Sequence, residues 1–148
     1  MLGLDHYCGS VSKLDAYMKG KYRYTLNQKE QAVEKMEDKI KHNRYDQFSW
    51  IDCFFNSNLH IVGLSLDYTE IDLWWLLNKR ARLMVEKDIK NKIYYHDSNI
   101  NKEKKLLLES MNVKVVERKR NEDDYLSVYK KTISDIQKMM AEDKGLAA

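Results

Sequence analysis

The scarcity of chain-breaking residues is the feature that most constrains how this sequence can fold. It contains no proline and five glycines, and Gly63 is the only glycine between residues 21 and 144. A loop that cradles nucleotide phosphates with backbone amides normally needs several glycines. Neither the Gly-x-Gly-x-x-Gly pattern nor the P-loop pattern occurs. A glycine-rich phosphate loop is therefore excluded over residues 21–144.

Composition indicates one globular domain in a reducing compartment. The 148 residues are 43% hydrophobic and 33% charged, which suffices for a core without a metal or disulfide. Cys8 and Cys53 are too few for a disulfide framework. The chain has no apolar run of membrane-spanning length, and charged residues interrupt its first twenty positions. We expect a soluble cytoplasmic protein that has no membrane partner.

Hydrophobic periodicity predicts a helical N-terminal part over residues 1–58. Apolar residues at helical spacing over 4–18 predict a first helix that Gly20 ends. The Lys- and Glu-rich stretch 26–43 predicts a second, solvated helix, and the aromatic stretch 48–55 predicts a helical turn packed on the core. Two or three helices should therefore precede the rest of the fold.

From residue 59 the pattern changes to alternating strands and helices. Three short apolar runs predict strands at 59–66, 92–96 and 113–117, the first of them buried on both faces. Helices are predicted from an N-cap at Thr69, with Asp72 at the capping-box position, and over 101–111 and 125–140. Repeated βαβ units predict an α/β fold with a parallel, Rossmann-like βαβαβα sheet.

These elements are assigned to a single domain covering residues 1–148. Its predicted parts are the helical segment 1–58, the βαβαβα segment 59–141 and a frayed tail over 142–148. Trp74 and Trp75 lie in a stretch that is apolar nearly all round, so the helix that carries them is expected to be buried.

Candidate binding residues follow the strands, because ligands of open parallel sheets bind at the carboxyl ends of the strands. Gly63 allows close approach of a ring or ribose, Ser65 offers a small hydroxyl, and Asp67 can accept hydrogen bonds from sugar hydroxyls. Tyr95 and His96 could stack on a base and bind its edge. The structural alternative is that Gly63 accommodates a crossing helix and that the polar residues only start or cap helices.

Other reactive residues show no spacing that supports chemistry. His6, Cys8, Cys53 and His60 lack metal-ligand spacing and an orienting third group, so no metal is expected. For His60, in a predicted buried strand, and Cys8, on an apolar helical face, packing is the better interpretation. The net charge is only +3, but Lys and Arg are concentrated between Lys79 and Arg120. A solvated face is the simplest explanation of that concentration, and nucleic-acid binding is a third, less favoured hypothesis.

The segment 60–77, HIVGLSLDYTEIDLWWLL, resembles the late strand and helix of sirtuin-like NAD-binding domains of bacterial antiphage proteins. The similarity extends over residues 59–140, and residues 2–9 also resemble a segment that follows the family's catalytic His-Gly. The resemblance implies that Gly63 and Ser65, with Asp67 just beyond, line the adenosine end of NAD. The chain is thereby similar to the C-terminal portion of such a domain.

The family's glycine-rich loop, Asn-Asp pair and His-Gly base have no counterpart in residues 1–58. His6 is followed by Tyr7 and does not match the catalytic position. The leading hypothesis is therefore a sirtuin-like fragment that keeps part of an adenosine site but is catalytically incompetent alone. It would associate with itself or with a second polypeptide that supplies the missing part. The alternative is a non-catalytic interaction or oligomerisation module.

Overall fold

The computed structural model describes residues 11–45, 49–118 and 125–145, which group into two compact units. The helical unit contains the described residues up to Asn58 together with Ser65–Lys92. The sheet unit contains Leu59–Leu64 and the described residues from Ile93 onward. The chain thus contributes one short strand to the sheet unit, returns to the helical unit, and then completes the sheet.

The helical unit begins with α1, which is helical over the described residues 11–18 and ends as predicted near Gly20. Gly20 has a φ of +69°, and its amide donates to the carbonyl of Tyr17 at 3.0 Å. A left-handed glycine just after the last turn is a common helix C-terminus. Leu14, Tyr17 and Met18 supply the buried face of α1.

The prediction of a single helix over 26–43 is wrong, because a β-hairpin occupies its first part. Two exposed antiparallel strands are followed by a seven-residue helix: β1 (Arg23–Leu26), β2 (Lys29–Ala32) and α2 (Met36–His42). Asn27 and Gln28 have φ values of +51° and +62°, the left-handed pair that a two-residue hairpin turn requires. Val33, Met36 and Ile40 are buried, and the last two lie in α2.

The aromatic stretch forms α3 (Trp50–Asn56), which confirms the predicted helical turn. Ser49 caps it by accepting from the Ile51 amide at 3.1 Å, and the Asp52 carboxylate accepts from the Ser49 amide at 3.3 Å. The sequence analysis missed this capping box. Phe54 and Phe55 are buried at 3% and 2% exposure, so α3 is a core element of the helical unit.

The long helix α4 (Ile71–Glu86) starts one residue later than predicted. Its N-cap is Glu70, which makes no side-chain capping bond, so the predicted cap at Thr69 is wrong. Leu76, Leu77, Arg80 and Leu83 are buried, whereas Ile71 and Val85 are 44% and 87% exposed. The helix is therefore buried on one face and not all round, because its apolar first half is wider than the surface that it covers.

The sheet unit contains the predicted three-stranded parallel sheet, in the order β3 (Leu59–Val62), β4 (Ile93–Asp97), β5 (Val113–Glu117). The strand β3 is only four residues long, and Val62 is 37% exposed. The expectation that this strand is buried on both faces is wrong, because Leu59, His60 and Ile61 are only half-buried and Val62 is exposed.

The two faces of the sheet have different partners. Ile93, Tyr95 and Val113 point to the face where α5 (Lys102–Ser110) packs and buries Leu108. Asn101 caps α5, its side chain accepting from the Lys104 amide at 2.7 Å. The opposite face carries His60, Tyr94 and His96 and contacts α6 (Tyr125–Gly145). No helix in the described parts of the chain is both long and apolar enough to cross a membrane.

Candidate functional site

The predicted site residues are divided between the two units. Gly63, Tyr95 and His96 lie at the carboxyl ends of β3 and β4 in the sheet unit. Ser65 and Asp67 lie in the helical unit, on the connection that leads to α4, and both are exposed. Within the sheet unit, the structure places three of the five predicted residues, Gly63, Tyr95 and His96, at the carboxyl ends of neighbouring strands.

Gly63 is a site of close approach, and the approaching group belongs to the protein. A Cβ built on Gly63 would lie 2.9 Å from the Tyr129 hydroxyl of α6, a distance that real Cβ atoms do not tolerate. Gly63 also has a φ of +71°, which favours glycine. The glycine is explained by the contact with α6, as in the structural alternative, and the space expected for a ribose is occupied by a tyrosine.

Tyr95 is a core residue with a fully engaged hydroxyl group. Its side chain is 1% exposed, and its hydroxyl lies 3.0 Å from both the Leu64 carbonyl and the Asp97 carboxylate. The Lys104 ammonium lies 3.3 Å from the same hydroxyl and 5.2 Å from the ring centroid. In this arrangement the Tyr95 ring is not accessible for stacking on a base.

His96 forms an unusual pair with His60, which was expected only to pack. The His96 Nε2 atom lies 3.0 Å from the His60 Nδ1 atom across the neighbouring strands β4 and β3. The His60 ring also stacks on Tyr94, with centroids 4.6 Å apart. Burial, then the nearby His60 and the Arg118 charge, lower the pKa of His96 to about 4. His96 is therefore neutral at pH 7.

Arg118 and Asp135 complete a polar cluster on this face of the sheet. Val116 is in register with His96, and the Arg118 amide extends the β5 ladder by donating to the Asp97 carbonyl at 2.9 Å. By strand alternation the Arg118 side chain shares the face of His96. The Arg118 guanidinium bonds the Asp135 carboxylate of α6 at 2.6 Å, which lowers the pKa of Asp135. We call His60, His96, Arg118 and Asp135 the His–Arg cluster.

Two buried nitrogen atoms of the His–Arg cluster have no hydrogen-bond partner among the described residues. They are His96 Nδ1 and Arg118 Nε. Buried polar groups are rarely left unpaired, because each unmade hydrogen bond costs about 1–3 kcal/mol. If the His60 Nδ1–H group donates a hydrogen bond to His96 Nε2, a neutral His96 carries its own proton on Nδ1. Both unpartnered nitrogens, His96 Nδ1 and Arg118 Nε, are then N–H donors. Such a pair of donors fits an oxygen acceptor, for example a ribose hydroxyl or a phosphate oxygen.

The side chains of the His–Arg cluster are two imidazoles, a guanidinium and a carboxylate, all of which bind oxygen-rich or charged groups through hydrogen bonds. No group of three or more His, Cys, Asp or Glu side chains suitable for a metal ion occurs within the described ranges. Cys53 is free and half-buried, and Cys8 and His6 lie outside the described residues.

Some basic side chains of residues 79–120 form ion pairs with acidic residues of the same unit. Lys105 bonds Glu117 at 2.5 Å, which raises the pKa of Lys105, and Arg118 bonds Asp135. The neighbouring residues 119–120 lie outside the described ranges. Several of the described lysines and arginines of this stretch therefore have partners within the protein, which agrees with a structural role for these side chains.

Sequence reasoning missed Arg118, Asp135 and the pairing of His60 with His96. The missing information is the register of the parallel strands, which places His60 and His96 one diagonal step apart on the same face. Comparison with known proteins adds no assignment to this geometry: no family model matches the chain, and no curated protein or solved structure is significantly similar to it.

Proposed function

We propose that the sheet unit binds an adenosine-containing nucleotide of the NAD or ADP-ribose class without turning it over. The observation that supports this most directly is the pair of unpartnered nitrogens, His96 Nδ1 and Arg118 Nε, on one face of a parallel sheet near its carboxyl end. That edge is where Rossmann-like sheets receive nucleotides. The resemblance of residues 60–77 to sirtuin-like domains points to the same ligand class.

The chemistry of the His–Arg cluster suits the oxygen-rich part of such a ligand. A neutral His96 can donate one hydrogen bond without adding charge, and the Arg118 guanidinium can hold a phosphate. With no glycine-rich loop over residues 21–144, side chains would have to supply the phosphate contacts. The Asp135 carboxylate already bonds one nitrogen of the Arg118 guanidinium, so a ligand phosphate must compete with this carboxylate.

Access to the cluster requires a small movement of α6. Both orphan nitrogens are inaccessible to solvent, and α6 contributes Asp135 and Tyr129 to this face. Binding then includes the free energy of displacing α6 from the sheet. We expect weak affinity, in the range of about a millimolar dissociation constant.

A titration of the isotope-labelled full chain with ADP-ribose tests the proposal. We expect saturable NMR shifts around Gly63, His96 and Arg118 and no release of nicotinamide from NAD. Arg118→Gln should abolish the shifts, whereas the matched variant Arg82→Gln, which removes an exposed arginine of the helical unit, should retain them. Asp135→Asn should tighten binding, because it removes the competing carboxylate.

Three results would contradict the proposal. They are the absence of shifts at about 10 mM ADP-ribose, equal shifts in Arg118→Gln and Arg82→Gln, and weaker binding by Asp135→Asn. Measurable nicotinamide release would contradict the non-catalytic part alone. A backbone amide spectrum of each variant establishes that the sheet unit is folded.

A second candidate function, an oligomerisation module, is favoured by one surface of α6. Leu126, Tyr129, Ile133 and Met140 are 63%, 41%, 54% and 52% exposed. With the half-buried Ile136 they follow the 3–4–3–4 spacing of a helix that packs on another helix. A concentration-dependent mass in light scattering, lost in Leu126→Glu with Ile133→Glu, would support self-association through α6.

A further inference from the structure

The helical unit contains a cavity that is unrelated to the His–Arg cluster. Its volume is about 580 Å³, within the range of small-molecule sites. Three segments of the same unit surround it: residues 40–45 at the end of α2, the end of α3 at 55–56, and residues 86–91 after α4. We call it the 86–91 cavity.

The lining of the 86–91 cavity combines apolar and hydrogen-bonding surfaces. Ile40, Phe55 and Ile89 are buried apolar lining residues, at 8%, 2% and 7% exposure. Asn43 and Asn56, two residues with amide side chains, also line it. A ligand with an apolar body and a polar head matches this combination of surfaces.

Charge at the 86–91 cavity favours a negatively charged head group. Lys41, Lys87 and Lys90 line it together with Glu86 and Asp88, and Lys90 is partly neutralised by Asp88 at 3.1 Å. The lining residues include three lysines against two acidic residues, and Lys87 and Lys90 belong to the same short segment. This excess of positive charge is small, so a further positive group near the cavity is needed to attract an anion.

That further group is Arg80, which lies directly behind the cavity wall. Its guanidinium is fully buried and donates to the Oδ1 and carbonyl oxygens of Asn91, a residue that lines the cavity. The Asn91 amide is held in turn by the Phe54 and Ser57 carbonyls at 2.9 and 2.8 Å. Asn91 is thus fixed between the buried charge and the cavity.

Among the residues that the structure describes, the charge of Arg80 has no anionic partner. Each described hydrogen bond of Arg80 goes to a neutral oxygen, and its NH1 nitrogen has no partner within the described residues. Burial lowers the pKa of Arg80, but an arginine side chain stays protonated at neutral pH. An uncompensated buried charge is strongly unfavourable unless an anion comes near it.

We infer that the 86–91 cavity binds a small organic anion, an apolar or aromatic body bearing one carboxylate or phosphate group. The apolar lining holds the body, the Asn43 and Asn56 amides bind its oxygens, and the lysines and the field of Arg80 attract its charge. This site goes beyond the nucleotide site proposed above and lies wholly in the other unit.

Titrations of the full chain with benzoate, phenyl phosphate and uncharged benzyl alcohol test the inference. Benzoate and phenyl phosphate should give saturable NMR shifts at residues 86–91 and at the side-chain amides of Asn43 and Asn56. Benzyl alcohol should bind much more weakly. Comparing the two anions shows whether the site prefers a carboxylate or a phosphate, and either preference supports the inference.

Paired variants separate the cavity from general surface charge. The double variant Lys87→Gln with Lys90→Gln should weaken benzoate binding about tenfold. The matched double variant Lys21→Gln with Lys29→Gln removes two exposed lysines of the same unit outside the cavity and should leave it unchanged. Equal losses in both variants, or equal binding of benzyl alcohol and benzoate, would overturn the inference. Arg118→Gln should not alter benzoate binding, so this test and that of the nucleotide site fail independently.

Discussion

The His96 Nε2 atom lies 3.0 Å from the His60 Nδ1 atom, so one imidazole ring donates a hydrogen bond and the other accepts it. Two histidines in this geometry cannot both be protonated without strong repulsion. His96 is 7% exposed, and burial adds to the effect of His60 in lowering the pKa of His96 to about 4. The pair therefore links the stability of the sheet unit to pH.

The first prediction is that stability falls as the pH drops from about 6.5 to about 4. In the unfolded chain His96 takes up a proton near pH 6.5, whereas in the folded chain it resists protonation until about pH 4. Neutral His96 thus favours folding above pH 6.5, and this contribution, up to about 3 kcal/mol, disappears across that window. Urea unfolding at a series of pH values measures it.

Two variants isolate the contribution of His96 from that of the carboxylates, which also titrate in acid. His96→Asn should remove part of the slope between pH 6.5 and 4, and His42→Asn, an exposed histidine of α2, should leave it intact. If His96→Asn retained the full slope, the low pKa assigned to His96 would be wrong.

The parallel sheet could be predicted because its strands are distinct apolar runs separated by helical periods. The runs at 92–96 and 113–117 became β4 and β5 with shifts of at most one residue. The hairpin β1–β2 could not be predicted in this way, since all four β2 residues are exposed and alternate no apolar side chains. Its turn is formed by Asn27 and Gln28, which both have positive φ values. Asparagine is common in such turns, but Gln28 stands where glycine is usual, which weakens the sequence signal.

Of the four residues of the His–Arg cluster, only His96 was a predicted binding residue. It was singled out with Gly63 because both lie near the carboxyl ends of predicted strands, here β4 and β3. Arg118 and Asp135 are 17 residues apart on different elements, and only the docking of α6 brings them to 2.6 Å. Sequence spacing carries no information on such long-range packing. The concentration of basic residues between Lys79 and Arg120 could therefore be recognised from the sequence, but the ion pair of Arg118 with Asp135 could not.

The second prediction concerns Lys39 and Asp52, a fully buried ion pair in the helical unit. The Lys39 ammonium lies 2.9 Å from the Asp52 carboxylate, which also accepts from the Tyr17 hydroxyl at 2.7 Å. Asp52→Asn leaves the buried ammonium without a counter-charge, so we expect a loss of about 3–5 kcal/mol in unfolding free energy. Chemical denaturation of the full chain measures this loss.

A surface pair provides the control for Asp52→Asn. Lys19 and Asp15 are 2.6 Å apart but 53% and 37% exposed, and Asp15→Asn should change stability by less than about 1 kcal/mol. Because Lys39→Met removes the unpaired charge, Lys39→Met combined with Asp52→Asn should lose less than the sum of the two single variants. Additive losses would show that the two residues are not coupled.

The third prediction concerns the hairpin turn. Gln28 has a φ of +62°, a conformation that is unfavourable for a residue with a Cβ and easy for glycine. Gln28→Gly should therefore stabilise the chain by about 0.5–1 kcal/mol, as measured by thermal unfolding. Gln28→Ala keeps the Cβ and should give no gain. A loss of stability in Gln28→Gly would mean that the Gln28 side chain makes a contact worth more than the strain.

The fourth prediction uses the contact between Gly63 and Tyr129. Gly63→Ala combines a left-handed φ of +71° with a Cβ 2.9 Å from the Tyr129 hydroxyl, so we expect a loss of about 1–3 kcal/mol in chemical denaturation. Tyr129→Phe removes the hydroxyl, and in that background Gly63→Ala should lose less, because only the backbone strain remains.

Gly20→Ala is the matched control: Gly20 has a φ of +69°, but its nearest neighbour is the Lys35 backbone nitrogen at 3.0 Å. The loss of stability in Gly20→Ala should be the same with Tyr129 or Phe at position 129. If Tyr129→Phe reduced the loss equally in Gly63→Ala and Gly20→Ala, the Tyr129 hydroxyl would not be the group that requires glycine at position 63.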